Sequence, residues 1–403
     1  MRILFVSPRQ CWPPVSGAKL RDYHFARALA RQADVTYVHF LEPGSSPLTR
    51  TELPFCTEVI SVPKPPAYGG SKIARGLAGR WPLPVLNYTS QEMIAALRTV
   101  TRGRRYDLIH LDIVQLAGYA ETLAEQLDEM PRIVYNWHNI ESELLRSYGQ
   151  SAAPLPRRIY AAWTARRMEG VEHDILRTSF GHIVCSEEER KELLGQVPGA
   201  RIAVVENGVD TAYFADGPAT GPRNRIVFVG SMNYHPNIEA ALSFTRDVWP
   251  HMRERLPGYR FTIVGSNPVP AVLALRDVPG VEVTGTVPDV RPFYREALAT
   301  VVPLRTGGGT RLKILESMAA AVPVVSTAFG AERLAVTPGK NIVLVNAGDA
   351  AAWTRELAAL ADGESRRGEL VEAAVQLVRE RYDWTILGDL LCKTYREWLG
   401  NSG

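Results

Sequence analysis

The chain is poor in the features that mark several protein classes. Its 403 residues include four cysteines, Cys11, Cys56, Cys185 and Cys392, and no two form a Cys-x-x-Cys pair. Zinc-finger spacing is therefore absent, and four scattered thiols in a chain this long do not make a disulfide scaffold. No apolar run approaches the roughly 18 residues of a membrane helix. The opening Arg2-Ile-Leu-Phe-Val6 is too short for an export signal, and Ser7-Pro8-Arg9 interrupts it. A reducing, cytoplasmic setting is the expectation. Neither sign of charge dominates: 46 Lys and Arg against 43 Asp and Glu leave +3, so a nucleic-acid partner is not expected. Also missing are a Gly-Lys-Ser/Thr phosphate loop, a G-x-G-x-x-G after either opening strand, and an Asp-x-Asp motif. Those absences argue against an ATPase, an NAD-dependent oxidoreductase and a metal-dependent donor site.

What is present is a repeated strand–helix alternation. Arg2–Val6 and Arg225–Val229 are short continuous apolar runs, each leading through a Gly- or Pro-containing loop into a helical pattern. Strands buried on both faces by helices read this way. After the first opening, strands are expected at Val35–Phe40, Glu58–Val62, Asp107–Leu111, Arg132–Tyr135, His182–Cys185 and Arg201–Val205. After the second they are expected at Arg260–Val264, Val281–Val283, Thr300–Pro303, Val322–Ser326 and Asn341–Val345. The pattern predicts two doubly wound α/β domains. The first covers 1–215, a Gly-Pro-rich linker covers 216–224, and the second covers 225–383. The tail from 350 is helical, and its last stretch, 384–403, is expected to pack back on the first domain.

The densest chemical signal is Val302-Pro-Leu-Arg-Thr-Gly-Gly-Gly-Thr-Arg-Leu-Lys-Ile-Leu-Glu316. A strand ends near Pro303, three glycines follow, and a helix is expected from about Thr310. Glycines let backbone amides approach an anion, and a helix N-terminus adds partial positive charge. Lys313 can reach back toward the same anion. Glu316 lies on the same helix face, roughly 4.5 Å further along. A cation at a pyrophosphate with a carboxylate one step beyond suits a nucleoside diphosphate, whose ribose hydroxyls the carboxylate can accept. The plain alternative is a Gly-rich turn followed by an exposed Lys–Glu pair.

The segment GGGTRLKILESMAAAVPVVST resembles the nucleotide-sugar signature of retaining glycosyltransferases of family 4, which have the GT-B fold. The likeness runs in order through Pro13-Pro14-Val-Ser-Gly17, Asn136-Trp-His138-Asn-Ile-Glu141, Cys185-Ser186-Glu187 and Asn207-Gly208-Val209-Asp210. It continues through Phe228-Val229-Gly230-Ser231, Val264-Gly265 and Thr284-Gly285-Thr286-Val287. The resemblance implies two Rossmann-like domains facing across a cleft and a helical C-terminal tail. It also implies particular roles. Gly17 and Gly230 would let backbone approach the donor diphosphate, Thr286 and Val287 would border the base, and Lys313 would pair with phosphate. Glu316 matches the second glutamate of the family's E-x7-E motif and would hold the ribose. His138 would line the sugar and acceptor side; the alternative is a histidine capping the helix that starts near Ile140.

Two departures qualify the likeness. Gly308 stands where the first glutamate of E-x7-E belongs, so either the amides of Gly307, Gly308 and Gly309 take over the sugar contact or the site is weakened; Thr310 would be a further donor-binding residue. The loop Ser231-Met-Asn-Tyr-His-Pro-Asn237 lacks the Arg and Lys usual there, leaving Arg305 and Arg311 as substitutes at phosphate. Two basic, aromatic clusters remain. Lys64-Pro-Pro-Ala-Tyr-Gly-Gly-Ser-Lys72 leads to Arg75, Arg80 and Trp81, and Pro156–Trp163 leads to Arg166, Arg167 and Met168. They suit either an anionic membrane surface or two charged helices packing their aromatics on the core. The expected activity is transfer of a sugar from a UDP- or GDP-sugar to a hydroxyl of a glycan, lipid-linked or small acceptor, with no metal or other cofactor. The rivals are a nucleotide-sugar 2-epimerase and a non-catalytic nucleotide-sugar-binding protein.

Overall fold

The computed structural model describes residues 1–67, 69–126, 131–149, 154–215, 223–309 and 311–400. Each expected strand forms within a residue or a few of its predicted span. The chain divides into two compact units, Met1–Asn207 with Leu387–Gly403, and Gly208–Ile386.

In the first unit seven parallel strands are ordered β3-β2-β1-β4-β5-β6-β7. They are β1 Arg2–Ser7, β2 Asp34–Leu41, β3 Glu58–Pro63, β4 Leu108–Leu111, β5 Ile133–Asn136, β6 Gly181–Val184 and β7 Ile202–Val204. Ile3, Leu4, Phe5 and Val6 have no exposed surface, because helices cover both faces of this central strand. β1 pairs with β2 on one side (Ile3 opposite Val35) and β4 on the other (Ile3 opposite Leu108). That is the point where the strand order reverses, and such sheets bind ligands beyond the carboxyl ends of those strands.

The second unit repeats the plan with six parallel strands ordered β10-β9-β8-β11-β12-β13. They are β8 Arg225–Val229, β9 Arg260–Val264, β10 Val281–Gly285, β11 Ala297–Val302, β12 Val324–Ser326 and β13 Val343–Leu344. Its reversal lies between β8 and β11. Trp249 and Trp353 fill the core on this sheet with Phe244 and Phe261.

The first unit ends at Asn207, not at 215. Val209 N–H donates to Tyr382 O at 2.8 Å and Trp384 N–H donates to Val209 O at 3.2 Å. Thr211 Oγ1 also donates to Asp383 Oδ2 at 2.5 Å. These bonds fasten 208–215 to the second unit. Of the expected linker, 216–222 lies outside the described residues, and Asn224 is already at the sheet, accepting from Arg260 N at 3.0 Å.

The last helix is Trp384–Gly400. From Leu387 it belongs with the first unit. Gly388 sits so close to the Gly17–Leu29 helix that a Cβ there would lie 2.6 Å from Ala28 Cβ. Arg31 pairs with Asp389 at 2.5 Å, Trp398 lies against Gly181, and Tyr395 reaches β4.

Candidate functional site

In the second unit the glycine loop leaves β11 at the reversal point, and the helix after it spans Leu312–Ala319. Gly307 and Gly309 have φ of +112° and +78°, a region side chains rarely enter. Gly307 also lies against the first turn of the helix His235–Ser243, where a Cβ would lie 2.9 Å from Pro236 Cγ. Gly308 is different: its φ is not in that region and a Cβ there would meet nothing within 4 Å. Its N–H donates to Tyr234 Oη at 3.3 Å. Thr310 lies outside the described residues.

The two arginines offered as phosphate ligands have other partners. Arg311, 6 % exposed, donates to Gly308 O at 2.5 Å and Gly307 O at 2.8 Å. It staples the loop that it precedes the helix from, satisfying carbonyls that the tight glycine path leaves open. Arg305 is exposed and donates to Ala347 O at 3.2 Å. Of the cations in this run, Lys313 is the one whose ammonium lies at the reversal point. It donates to Asn237 Oδ1 at 2.8 Å and stands 4.4 Å over the Phe228 ring. An amide oxygen and a ring face hold a cation in place without neutralising it. Gly230 makes room, since a Cβ there would lie 2.7 Å from Asn237 Nδ2 and 2.9 Å from Lys313 Nζ.

Burial, then the nearby Arg311, push the Lys313 ammonium down to about 7, against the attraction of Glu316. Glu316 accepts from Tyr294 Oη at 3.2 Å. Burial holds its carboxyl above the ordinary range, opposed by Tyr294 and Lys313. Thr286 is exposed and Val287 half-buried, just past the end of β10. The arrangement offers a helix N-terminus, a glycine turn and a desolvated ammonium to an anion, with a carboxylate one turn behind.

In the first unit His138 does not cap the helix that begins at Glu141. Its ring turns to the carboxyl ends of β1, β4 and β5, with Nε2 3.3 Å from Asp112 and 3.7 Å from Asp22 Oδ1. Asn136 Nδ2 donates to Asp112 Oδ1 at 2.7 Å, and Ser7 Oγ donates to Asp22 Oδ2 at 2.9 Å. Arg21, wholly buried, donates to Asn136 Oδ1 and to Val205 O, both at 2.8 Å. Asp22, Asp112 and His138 lie close enough to share a cation. That role is already filled, since Arg9 Nη1 lies 3.3 Å from Asp22 and 3.6 Å from Asp112. Two carboxyls buried together cannot both ionise freely. Asp22 is the one whose acidity is weakened, first by burial and then by Asp112. Asp112, despite its burial, is held ionised by His138 and His110. Burial keeps the His138 ring below its ordinary range, although Asp112 opposes this. Gly17 is the first residue of the Gly17–Leu29 helix, after Ser16.

Sequence reasoning singled out His138 but missed Arg9, Arg21, Asp22 and Asp112. A signal existed for one of them: Asp112 follows directly on β4, at the carboxyl end of a central strand.

Two family models match the chain. "Glycosyltransferase Family 4" matches residues 15–213, and "Glycosyl transferases group 1" matches residues 223–362. A D-inositol 3-phosphate glycosyltransferase of Thermobispora bispora is 28% identical over 320 residues, 73% of this chain and 71% of that protein. A phosphatidyl-myo-inositol mannosyltransferase of Mycobacterium leprae is 27% identical over 231 residues, 55% of this chain and 60% of that one. Among solved structures, the sucrose-phosphate synthase of Thermosynechococcus elongatus superposes with a TM-score of 0.72 at 17% identity, over 100% of both chains. Anabaena HepE in complex with UDP-glucose gives 0.65 at 14% identity, over 98% of this chain and 100% of that one.

Proposed function

Because the chain belongs to glycosyltransferase family 4 and is a glycosyltransferase of GT-B fold, we propose that its donor is a UDP- or GDP-sugar held at the Lys313–Glu316 helix. The observation that carries this reading is the Lys313 ammonium, desolvated beside a glycine loop and held by an amide and a ring. A diphosphate supplies the missing negative charge, and Glu316 stands where ribose hydroxyls would donate. The UDP-glucose in the Anabaena neighbour agrees with that donor class. Lys313 then stabilises the leaving diphosphate, the main electrostatic demand of transfer. Gly17, Gly230 and the amides of Gly307–Gly309 serve donor approach, and His138 orients sugar and acceptor. Transfer proceeds with retention and without a metal, in cell-surface or exopolysaccharide glycan synthesis at the cytoplasmic side.

The test is turnover with each of UDP-, GDP- and ADP-linked sugars and an acceptor panel, with the anomeric configuration of the product read by NMR. Retained configuration is the expected result, and inverted product overturns the stereochemical part. Conversion of UDP-GlcNAc without acceptor would identify an epimerase. Donor binding with neither transfer nor hydrolysis would identify a binding protein.

An anionic membrane surface is the proposed location of a lipid-linked acceptor. No helix among the described residues is long and apolar enough to cross a membrane. The helices Gly70–Ala78 and Leu155–Thr178 instead form a ridge, joined by a hydrogen bond from Trp163 Nε1 to Leu77 O at 3.3 Å. Leu155, Ile159 and Trp163, at i, i+4 and i+8, are 66%, 62% and 49% exposed beside Leu77 at 44%. Arg75, Arg157 and Arg166 are exposed around them. Other residues of the clusters turn inward: Arg167 ties the Gly76, Gly79 and Arg80 carbonyls together, and Met168 is in the core. Tyr68 of the first cluster lies outside the described residues. Reversing Arg75, Arg157 and Arg166 to Glu should weaken co-sedimentation with phosphatidylglycerol vesicles by at least about 100-fold, at about 1 kcal/mol per cation lost. Equal sedimentation of both proteins removes the membrane from the proposal.

A further inference from the structure

His138 is tied to the far end of the chain. Tyr395, on the C-terminal helix and wholly buried, has its Oη 2.6 Å from His110 Nδ1. A phenol so buried keeps its proton; burial pushes its pKa well above the ordinary range. Among the described residues His110 Nδ1 is the acceptor its hydrogen has, so it donates there, which leaves the ring hydrogen of His110 on Nε2. That nitrogen makes no hydrogen bond among the described residues; Asp112 Oδ1 lies 3.6 Å away, so the link between them is an electrostatic contact of a ring N–H with a buried carboxylate. The His110 ring cannot turn away, because Phe5 stacks on it at 4.2 Å and Phe25 meets it edge-on. The same Asp112 oxygen accepts from Asn136 Nδ2 at 2.7 Å and lies 3.3 Å from His138 Nε2. Asn136 Nδ2 also stands 3.2 Å from His138 Nε2, but this amide makes its shorter bond to Asp112, and the ionised carboxylate keeps a hydrogen on Nε2 of His138 and leaves Nδ1 as its acceptor nitrogen.

We propose that Tyr395 is a positioning residue, which through His110 and Asp112 holds His138 in one tautomer and so decides which ring nitrogen the site offers to substrate. This rests on the reading that His138 lines the sugar and acceptor side. The chain Tyr395–His110–Asp112–His138 makes the C-terminal helix part of the site's chemistry as well as of its core. The charged groups facing His138 are Asp112, Asp22, Arg9 and Arg21, and those facing His110 are Asp112 and Arg21. A buried network of this kind transmits a change at one member to the rest.

The experiment uses the full chain with ¹⁵N-labelled histidine. Long-range nitrogen–proton correlation should show His138 protonated at Nε2 alone. In Tyr395→Phe the single tautomer at His110 is lost and the His138 pattern changes. Turnover should fall about 10-fold with donor KM within about two-fold, because orientation at the acceptor side fails while donor binding does not. Two further variants separate positioning from packing. His110→Gln places an amide N–H where Nε2 stood and should retain most turnover, whereas His110→Leu should lose as much as Tyr395→Phe. In a His138→Ala background, Tyr395→Phe should add no further loss. Equal activity of the Gln and Leu variants, an unchanged His138 tautomer, or full multiplicative loss in the double variant overturns the proposal. Normal turnover by His138→Ala alone instead removes the reading on which it rests, and leaves the tautomer measurement valid.

Discussion

Replacing Lys313 with alanine should lower kcat/KM for the donor by roughly 10²–10³-fold, about 3–4 kcal/mol, with little change in thermal stability. The size follows from desolvation. Lys313 lies against Phe228 and Asn237 and has no carboxylate at hydrogen-bond distance among the described residues, so its charge is available to a bound anion at low local dielectric. Folding bears a cost to bury that ammonium, which is why alanine should not destabilise the unit. The same burial predicts a pH dependence. With its pKa near 7 in the donor-free protein, Lys313 is charged below that value and increasingly neutral above it. A diphosphate favours the charged form, so binding takes up a proton above pH 7. Donor affinity should fall as pH rises from 7 toward 9, by up to about 10-fold per unit. Calorimetry in two buffers of different ionisation enthalpy measures that proton directly. Wild-type-like donor affinity in Lys313→Ala, or an affinity flat across pH 7–9 in the parent, would displace Lys313 from the phosphate.

Gly265→Ala should be the most damaging single methyl in the second unit. A Cβ at that position would lie 1.7 Å from Gly230 O and 2.8 Å from Gly230 C, which are backbone atoms that no side-chain rotation can move. The two turns are held at this spacing by Gly230 N–H to Val264 O at 3.0 Å and Met232 N–H to Ser266 O at 2.8 Å. Accommodating the methyl breaks these bonds and drives Gly230 away from Lys313. A loss above about 4 kcal/mol is expected, or roughly 8–16 °C in Tm for a unit of this size. Gly308→Ala is the matched control: it has open space and needs no left-handed backbone, so it should be near neutral in stability. A Gly265→Ala protein as stable as the parent would mean that the β8 and β9 turns are not packed as described.

Much of the fold was legible because parallel strands covered on both faces are written as contiguous apolar runs such as Ile3–Val6 and Ile226–Val229. Lys313 and Glu316 were legible for a similar reason. They share one helix, and helical geometry alone places them on one face. Arg311 shows the limit of that reasoning. Its position in the run suggested phosphate, but where its guanidinium turns depends on the path of Gly307 and Gly308, and two open carbonyls claim it. The basic clusters show the same limit, with Arg167 and Met168 turned inward while Trp163 and Arg166 on the same helix face out.

By itself, then, the sequence determined the two α/β units, the glycine turn and the Lys–Glu pair, all consequences of short-range periodicity and chain chirality. Only the tertiary structure decided that Asp22, Asp112 and Arg9 surround His138, and that Tyr395 reaches His110 across 285 residues of chain. Contacts of that range depend on which strands are neighbours and which helix covers them. No local spacing encodes that choice; the burial of the whole sheet does.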